Sequence, residues 1–289
     1  MRRKKNVYSS TDILTNFLTR PVKWIVLTIT IVGVLFPLYW LVSNAVKLPG
    51  EYIQYPPVLI PSAVTWTNFD AIFSKYGAGK GLANTAIVAV VSTIACVSFG
   101  SMSAYAIAKG SLKSKLRNVF GLWFMIQKMY PAISIAIPVF FVMRTLGLID
   151  TQIALIVMYT SFNLPLVVWL MIGFFQEVPS EIEQSGAIDG CSMWQRFFLL
   201  ALPIVKPGIV ASAILTFVSA WNEFLFAALL SINRSKTLSV AVAGFINDRA
   251  LEWGPMSAMG TLLIIPVVIV VWSLQRSFVA GLSMGSVKE

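Results

Sequence analysis

Histidine is absent from this chain of 289 residues, cysteine occurs only twice, and charged residues make up only 12% of it. Each scarcity excludes something. Without histidine, and with two thiols, neither a structural zinc site nor an imidazole proton relay can be assembled. Cys96 falls inside an apolar run and Cys191 in a hydrophilic one, so a disulfide between them is not expected. A soluble domain keeps about a quarter of its residues charged because its surface faces water; half that proportion means that most of this surface faces something else. A phosphate-cradling G-x-x-x-x-G-K-[ST] is missing as well: Gly77-Ala78-Gly79-Lys80-Gly81 lacks the following hydroxyl residue. Nucleotide energy would have to reach this chain through a partner. No cofactor is called for.

What the chain has in abundance is long apolar blocks, with 57% of its residues hydrophobic. A helix needs about 20 apolar residues to cross a hydrocarbon core about 30 Å thick. By that ruler there are six candidates, at 22–46, 82–108, 118–143, 152–175, 208–230 and 256–276. Barrel strands would read instead as alternating segments of about ten residues. The predicted class is all-α: a polytopic membrane helical bundle of six transmembrane helices. The first apolar block is too long for a signal-peptide core and lacks a small-residue cleavage pattern, so it is read as a retained span. Segment 1–21 precedes it, 47–81 forms a proline-stiffened loop after it, 82–276 carries the other five spans, and 277–289 is a tail. Residues 7–20 read either as an interfacial helix or as a loose tail.

The net charge of +10 invites a nucleic-acid reading, but in a membrane protein the placement of cations matters more. With the N-terminus inside, the inner segments hold Arg2, Arg3, Lys4, Lys5, Arg20, Lys23, Lys109, Lys113, Lys115, Arg117, Arg196, Lys206, Arg276 and Lys288. The outer segments hold Lys47, Lys75, Lys80, Arg144, Arg234, Lys236 and Arg249. This two-to-one bias is that of cytoplasmic loops, and six spans put both termini on the cytoplasmic side of the cell's inner membrane.

One inner loop, 177–207, is unlike the rest. Val178-Pro179-Ser180-Glu181 reads as a helix start, with Ser180 as cap and Glu181 and Glu183 in the favourable first turn. Gly190 allows a sharp break. Trp194, Phe197 and Phe198 give a second short helix an apolar face, and Pro203 and Pro207 close it. The loop is thus predicted to be a helix–turn–helix docking surface beside the membrane.

This stretch resembles the cytoplasmic signature loop of ABC-importer permeases: Glu-Ala-Ala, three residues, Gly, nine residues, Ile, one residue, Leu-Pro. Gln184-Ser185-Gly186 stands in the Glu-Ala-Ala place, Gly190 is the glycine, and Leu202-Pro203 ends the motif. The opening triplet departs from the pattern, and Glu183, one position earlier, is expected to take over the acidic contact. Gln127-Lys128-Met129-Tyr130-Pro131, Leu146-Gly147-Leu148-Ile149-Asp150-Thr151, Trp221-Asn222-Glu223-Phe224 and the tail from Gly281 to Lys288 are similar to the maltose-type carbohydrate branch, above all to the six-span partner of its heterodimer. The resemblance implies a type I importer fold and a complex with a second permease subunit, two cytoplasmic ATPase subunits and an external solute-binding protein. It also implies an oligosaccharide substrate. Coupling to the ATPases then falls to Glu181, Glu183, Gln184, Gly190, Trp194, Phe197, Leu202 and Pro203.

Ionisable residues at bilayer depth are functional hypotheses by default. Lys128 lies about 15 Å into the third span. Two readings stand beside each other: a cation lining a translocation cavity and meeting an anionic sugar such as an alginate-like uronate, or an ion pair with Glu223 or a contact across the heterodimer seam. Gln127, Tyr130, Asn163, Asn222 and Glu223 complete the candidate substrate path, with packing as the alternative role of each. Tyr159 and Trp169 are further candidates for sugar contact. A reading from another class, an ion-coupled secondary transporter, would need a buried carboxylate to carry the ion, and only Glu223 is available.

Overall fold

The computed structural model describes residues 10–110, 112–245 and 252–284. Every regular element among them is helical: α1 Ser10–Val46, α2 Thr67–Ser74, α3 Ala78–Lys109, α4 Ser114–Met129, α5 Ala132–Thr145, α6 Gln152–Glu177, α7 Ser180–Ile188, α8 Met193–Ile204, α9 Lys206–Trp221, α10 Leu225–Leu230, α11 Leu238–Ala243 and α12 Trp253–Met284. Four stretches are long and apolar enough to cross a membrane: Val22–Val46, Ala78–Lys109, Gln152–Glu177 and Trp253–Gln275. Two bent pairs raise the number to six if each counts as one span.

The helix boundaries differ from expectation where proline or a polar cluster interrupts an apolar run. The third predicted span is broken into α4 and α5, inclined at 89° to one another. Pro131 has no N–H to continue the ladder and forces its predecessor out of the helical region; Tyr130 accordingly lies at φ −71, ψ 129. Pro138, Pro165 and Pro266, by contrast, sit inside helices that continue past them. The fifth predicted span ends early at Trp221, passes through the non-helical Asn222, Glu223 and Phe224, and resumes as α10. At the N-terminal side, residues 10–20 belong to α1 without a break and do not form a separate element; residues 7–9 of the expected interfacial segment lie outside the described residues.

The chain divides into two units. One comprises residues up to Phe69 together with Trp253–Thr261. Here the last turn of α1 leaves carbonyls without helical partners. Asn68 Nδ2 donates to two of the carbonyls at this helix end, Ala45 O at 3.0 Å and Lys47 O at 3.3 Å. Lys47 is fully buried, its Nζ 2.7 Å from Asn44 Oδ1 and 3.8 Å from the centre of the Trp40 ring. It was expected as an ordinary outer-loop cation. Instead its apolar stem packs inward while its head spends its charge on an amide and a π face.

The other unit comprises Asp70–Glu252 and the chain from Leu262 onward. Its centre is the pair α3 and α6, which run side by side in the same direction. Asn84 meets Gln152, Cys96 meets Thr160, and Tyr105 packs on Phe175. They pack tightly at Gly100, where a Cβ would fall 2.6 Å from Val167 Cγ1. Small residues at such crossings let apolar helices pack where no hydrophobic drive separates protein from lipid. Two apolar clusters flank this crossing. Val88, Met158, Tyr159, Phe217, Trp221 and Phe226 belong to the first, and Tyr105, Phe174, Phe175, Phe197 and Val205 to the second. The parallel run of α3 and α6 therefore separates two ends of the unit. Loop 146–151 and loop 231–238 meet at the starts of these helices, and α7 and α8 lie at their finish.

Candidate functional site

At the finishing end, α7 and α8 form a helical hairpin. Pro179, not Ser180, is the residue preceding α7, and Ser180 is its first helical residue, so the expected hydroxyl cap is not made. Glu181 and Glu183 still occupy the favourable first turn. Gly190 takes φ +82, a conformation open to glycine at little cost, and this turns the chain. Ser192 then starts α8 with a reciprocal capping box, its hydroxyl accepting the Gln195 N–H while the Gln195 side chain accepts its own N–H. Within α8, Arg196–Ala201 form a π-turn in which the Leu202 N–H reaches back to Phe197 O. The widened turn directly precedes Pro203, which has no N–H to give. Pro203 thus continues α8 to Ile204. An 81° bend at Val205, with Pro207 just beyond it, separates α8 from α9.

The hairpin sorts its side chains differently from the expected pattern. Trp194 and Phe198 stack with centroids 6.2 Å apart and are 62% and 47% exposed. Ile188 and Met193 are exposed beside them in sequence, as are Glu181, Gln184 and Pro203, while Leu202 is half-buried. Phe197, expected on the docking face, is 3% exposed and packs between Tyr105 and Phe175. The one-residue step from 197 to 198 turns the ring by about 100° around the helix, from core to outer face. Glu183, expected to make an outward acidic contact, is 8% exposed and accepts a 2.8 Å hydrogen bond from Tyr105 Oη. Both are corrections: these two side chains hold the hairpin to α3 and α6.

Deeper in the unit, the substrate-path candidates only partly converge. Lys128 Nζ lies 3.4 Å from Asn163 Oδ1, 3.5 Å from Phe162 O and 4.5 Å above the Phe162 ring. Asn163, 1% exposed, is fixed by donating to Tyr159 O at 2.9 Å and accepting from Ser219 Oγ at 2.8 Å. Lys128 also lines a cavity of about 220 Å³ with Phe124, Met125, Met129, Pro165, Leu166 and Trp169. The ion pair with Glu223 is not formed. Glu223 instead caps α10, its two oxygens accepting the N–H groups of Phe226 and Ala227 at 2.9 and 3.1 Å. That use of the one deep carboxylate disfavours the ion-coupled reading. Gln127 and Tyr130 are exposed on this chain. Asn222 is exposed too and bonds back to Val218 O, while Trp221 Nε1 donates to Leu263 O at 2.9 Å.

The opposite end carries a constellation that sequence reasoning passed over. Asp150, at φ +61, directs its carboxylate at loop 231–235 and accepts the backbone N–H groups of Ile232, Asn233, Arg234 and Ser235 at 2.9 to 3.2 Å. Partial burial pushes this carboxyl up, but the four N–H groups together outweigh it and hold it well below the usual carboxylate range. Asn84 grips the same loop through the carbonyls of Arg234 and Lys236, each at 2.9 Å, and Gln152 orients Asn84 at 2.7 Å. The signal available was Gly147 and Asp150 in a short polar turn between apolar runs.

Long apolar helices, two sharply bent helix pairs and an aromatic-faced hairpin mark a polytopic membrane protein. Residues 96–284 match the family described as binding-protein-dependent transport system inner membrane component, and the chain belongs to that family. It is a multi-pass inner-membrane permease subunit. The trehalose transport system permease protein SugB of Mycobacterium tuberculosis is 35% identical over 93% of this chain and 98% of its own length. The sulfoquinovosyl glycerol transport system permease protein SmoH of Agrobacterium fabrum is 31% identical over 98% of this chain and 99% of its own. The fold is shared with a chain of a bacterial ABC transporter involved in the import of the acidic polysaccharide alginate, with a TM-score of 0.77 and 23% identity over 95% of this chain and all of that one. The all-α, type I importer-like architecture expected from the sequence is the one observed.

Proposed function

We propose that the chain pairs with a second permease to enclose the path of an oligosaccharide, and that the α7–α8 hairpin couples this path to two cytoplasmic ATPases. The observation that carries this reading is the exposed Trp194–Phe198 stack on a hairpin braced from within by Phe197 and Glu183. Aromatic anchors surrounded by polar residues are the usual energetic centre of an interface. The charge bias supports a cytoplasmic hairpin and cytoplasmic termini, with loop 231–235 outside, where a solute-binding protein would dock. Glu181 and Gln184 are exposed on α7, Gly190 sets the turn, and Leu202 and Pro203 lie in the last turn of α8.

Carbohydrate as cargo is supported by relatives whose names specify trehalose and sulfoquinovosyl glycerol. Lys128 supports an acidic unit within that class: among the described residues no carboxylate lies within salt-bridge distance of its ammonium, and Trp169 beside it in the cavity offers a ring for a sugar face. The test is the chain co-purified with its sister permease and ATPase, with the binding protein added and a panel of acidic and neutral oligosaccharides. Stimulation of ATP hydrolysis by a sugar, lost when Trp194→Ala and Phe198→Ala are combined, is the expected result. Lys128→Met should lower transport of acidic sugars while sparing neutral ones; equal transport of both by that variant removes the acidic assignment.

A further inference from the structure

One carboxylate ties three helices together. Glu183 of α7 accepts from Tyr105 Oη of α3 at 2.8 Å, and the same oxygen lies 3.9 Å from Arg196 Nη1 of α8. The arrangement is incomplete. The second oxygen, Glu183 Oε1, is buried with no hydrogen-bond partner, and so is Arg196 Nε. A guanidinium and a carboxylate that face each other ordinarily close into two parallel bonds of 2.7–2.9 Å, about 1 Å shorter than the separation here. Buried charged groups with idle donors and acceptors are unfavourable, and a small displacement that joined them would be favoured.

Two further observations place that displacement. Arg196 is the first residue of the π-turn, a widened register that recurs at functional sites in helices. Gly186 lets α7 close directly on α8: a Cβ there would fall 2.5 Å from Leu200 Cδ1 and 3.4 Å from Arg196 Cγ. The stem of Arg196 is therefore held against α7, while its head stops 3.9 Å short of Glu183. Beside this site Lys109 Nζ donates to Val178 O at 2.6 Å, a second tie between α3 and the start of the hairpin.

We infer that Tyr105, Glu183 and Arg196 form a positioning latch, half-closed in this structure, whose closing locks the α7–α8 hairpin to α3 so that the two move together during the transport cycle. The inference rests on the coupling role proposed for the hairpin. Glu183 then acts through Arg196 and Tyr105 and touches neither ATPase nor cargo, contrary to the role its place beside the signature triplet suggested.

The experiment uses the complete importer in proteoliposomes: this chain, its sister permease, the ATPases and the binding protein. Glu183→Gln keeps an acceptor for Tyr105 and removes the charge that Arg196 needs. It is expected to assemble at wild-type yield and keep basal ATP hydrolysis, while stimulation by loaded binding protein falls about two- to thirty-fold, the range of coupling effects along such networks. Glu183→Gln combined with Arg196→Gln should be no worse than the more impaired single variant, because both interrupt one contact. A purely structural role would lower yield and melting temperature and leave the ratio of stimulated to basal hydrolysis unchanged; that result overturns the latch. Should Glu183→Gln fail to assemble, Tyr105→Phe leaves every charge in place, and an unchanged ratio in that variant also overturns it. If wild-type proteoliposomes show no ATP-driven uptake, the coupling role itself fails and the latch with it. A working wild type with an unaffected Glu183→Gln removes the latch alone.

Discussion

Gly100→Ala tests the central crossing of the fold with a single carbon atom. The added Cβ would stand 2.6 Å from Val167 Cγ1 and 2.9 Å from Val167 Cβ. Apolar carbons rest about 3.5–4.0 Å apart, so α3 and α6 must separate by about 1 Å or Val167 must leave its rotamer. A helical valine has one strongly preferred rotamer, which makes separation the easier route. Overpacking of this kind costs about 1–3 kcal/mol. The better helix propensity of alanine returns about 0.5–1 kcal/mol. The expected net loss therefore lies between about 0 and 2.5 kcal/mol, centred near 1 kcal/mol, a fall of roughly 2–4 °C in melting temperature for a chain of this size. Thermal melting of the detergent-purified complex, followed by fluorescence-detected size exclusion, reads this directly. Val167→Ala alone should also destabilise, by leaving a void, but added to Gly100→Ala it should restore much of the loss. A Gly100→Ala protein that melts at or above the wild-type temperature, or a double variant no better than the worse single, refutes the reasoning.

Asp150→Asn should loosen loop 231–235 by about 1–2 kcal/mol, discounted for its partial exposure, and speed hydrogen exchange at the amides of 232–235. Because the folded carboxyl lies below its ordinary value, its contribution is complete above about pH 5 and fades as pH falls through the ordinary carboxylate range toward the depressed one. The asparagine variant should lose that acid dependence, and an unchanged pH profile would count against the clamp. Trp194→Ala should weaken ATPase association by about 2 kcal/mol without lowering the amount in the membrane. Phe197→Ala, one residue away in the buried core, should instead cost about 3–5 kcal/mol of stability and reduce membrane levels; equal phenotypes would contradict the assignment of faces. Of the two free cysteines, partly exposed Cys191 should react with a membrane-impermeant maleimide in inverted vesicles but not in right-side-out ones, while buried Cys96 stays silent in both. The reverse pattern for Cys191 overturns the proposed orientation.

The helical membrane architecture was legible because lipid imposes a length and a polarity that any reader can measure in the residues. The hairpin was legible too, since Pro179 and Gly190 punctuate it, although Pro203, read as its stop, lies inside α8. What the residues concealed was the facing of side chains. Phe197 and Phe198 are the same residue type, and only the rotation set by the Ser192 capping box and the π-turn sends one inward and the other out. Glu183 reads as a solvent-facing acid until Tyr105, 78 positions earlier in the chain, is brought beside it. The break at Tyr130 had its cause in plain view at Pro131, yet Pro138, Pro165 and Pro266 do not break their helices, so proline alone does not say which span divides. The Asp150 clamp uses backbone N–H groups, which carry no mark in a sequence.

The parallel pair α3 and α6 has a mechanical consequence. Its 32-residue member is about 48 Å long, and a helix resists stretching far more than it resists tilting. Asn84 fastens one tip to loop 231–238, and Tyr105 fastens the other to the hairpin. Such a beam cannot absorb a displacement by lengthening; a rotation of about 5° about one tip swings the other by about 4 Å. A span of this build would act as a lever arm, a small angular change at one end becoming a step at the other the size of a side chain.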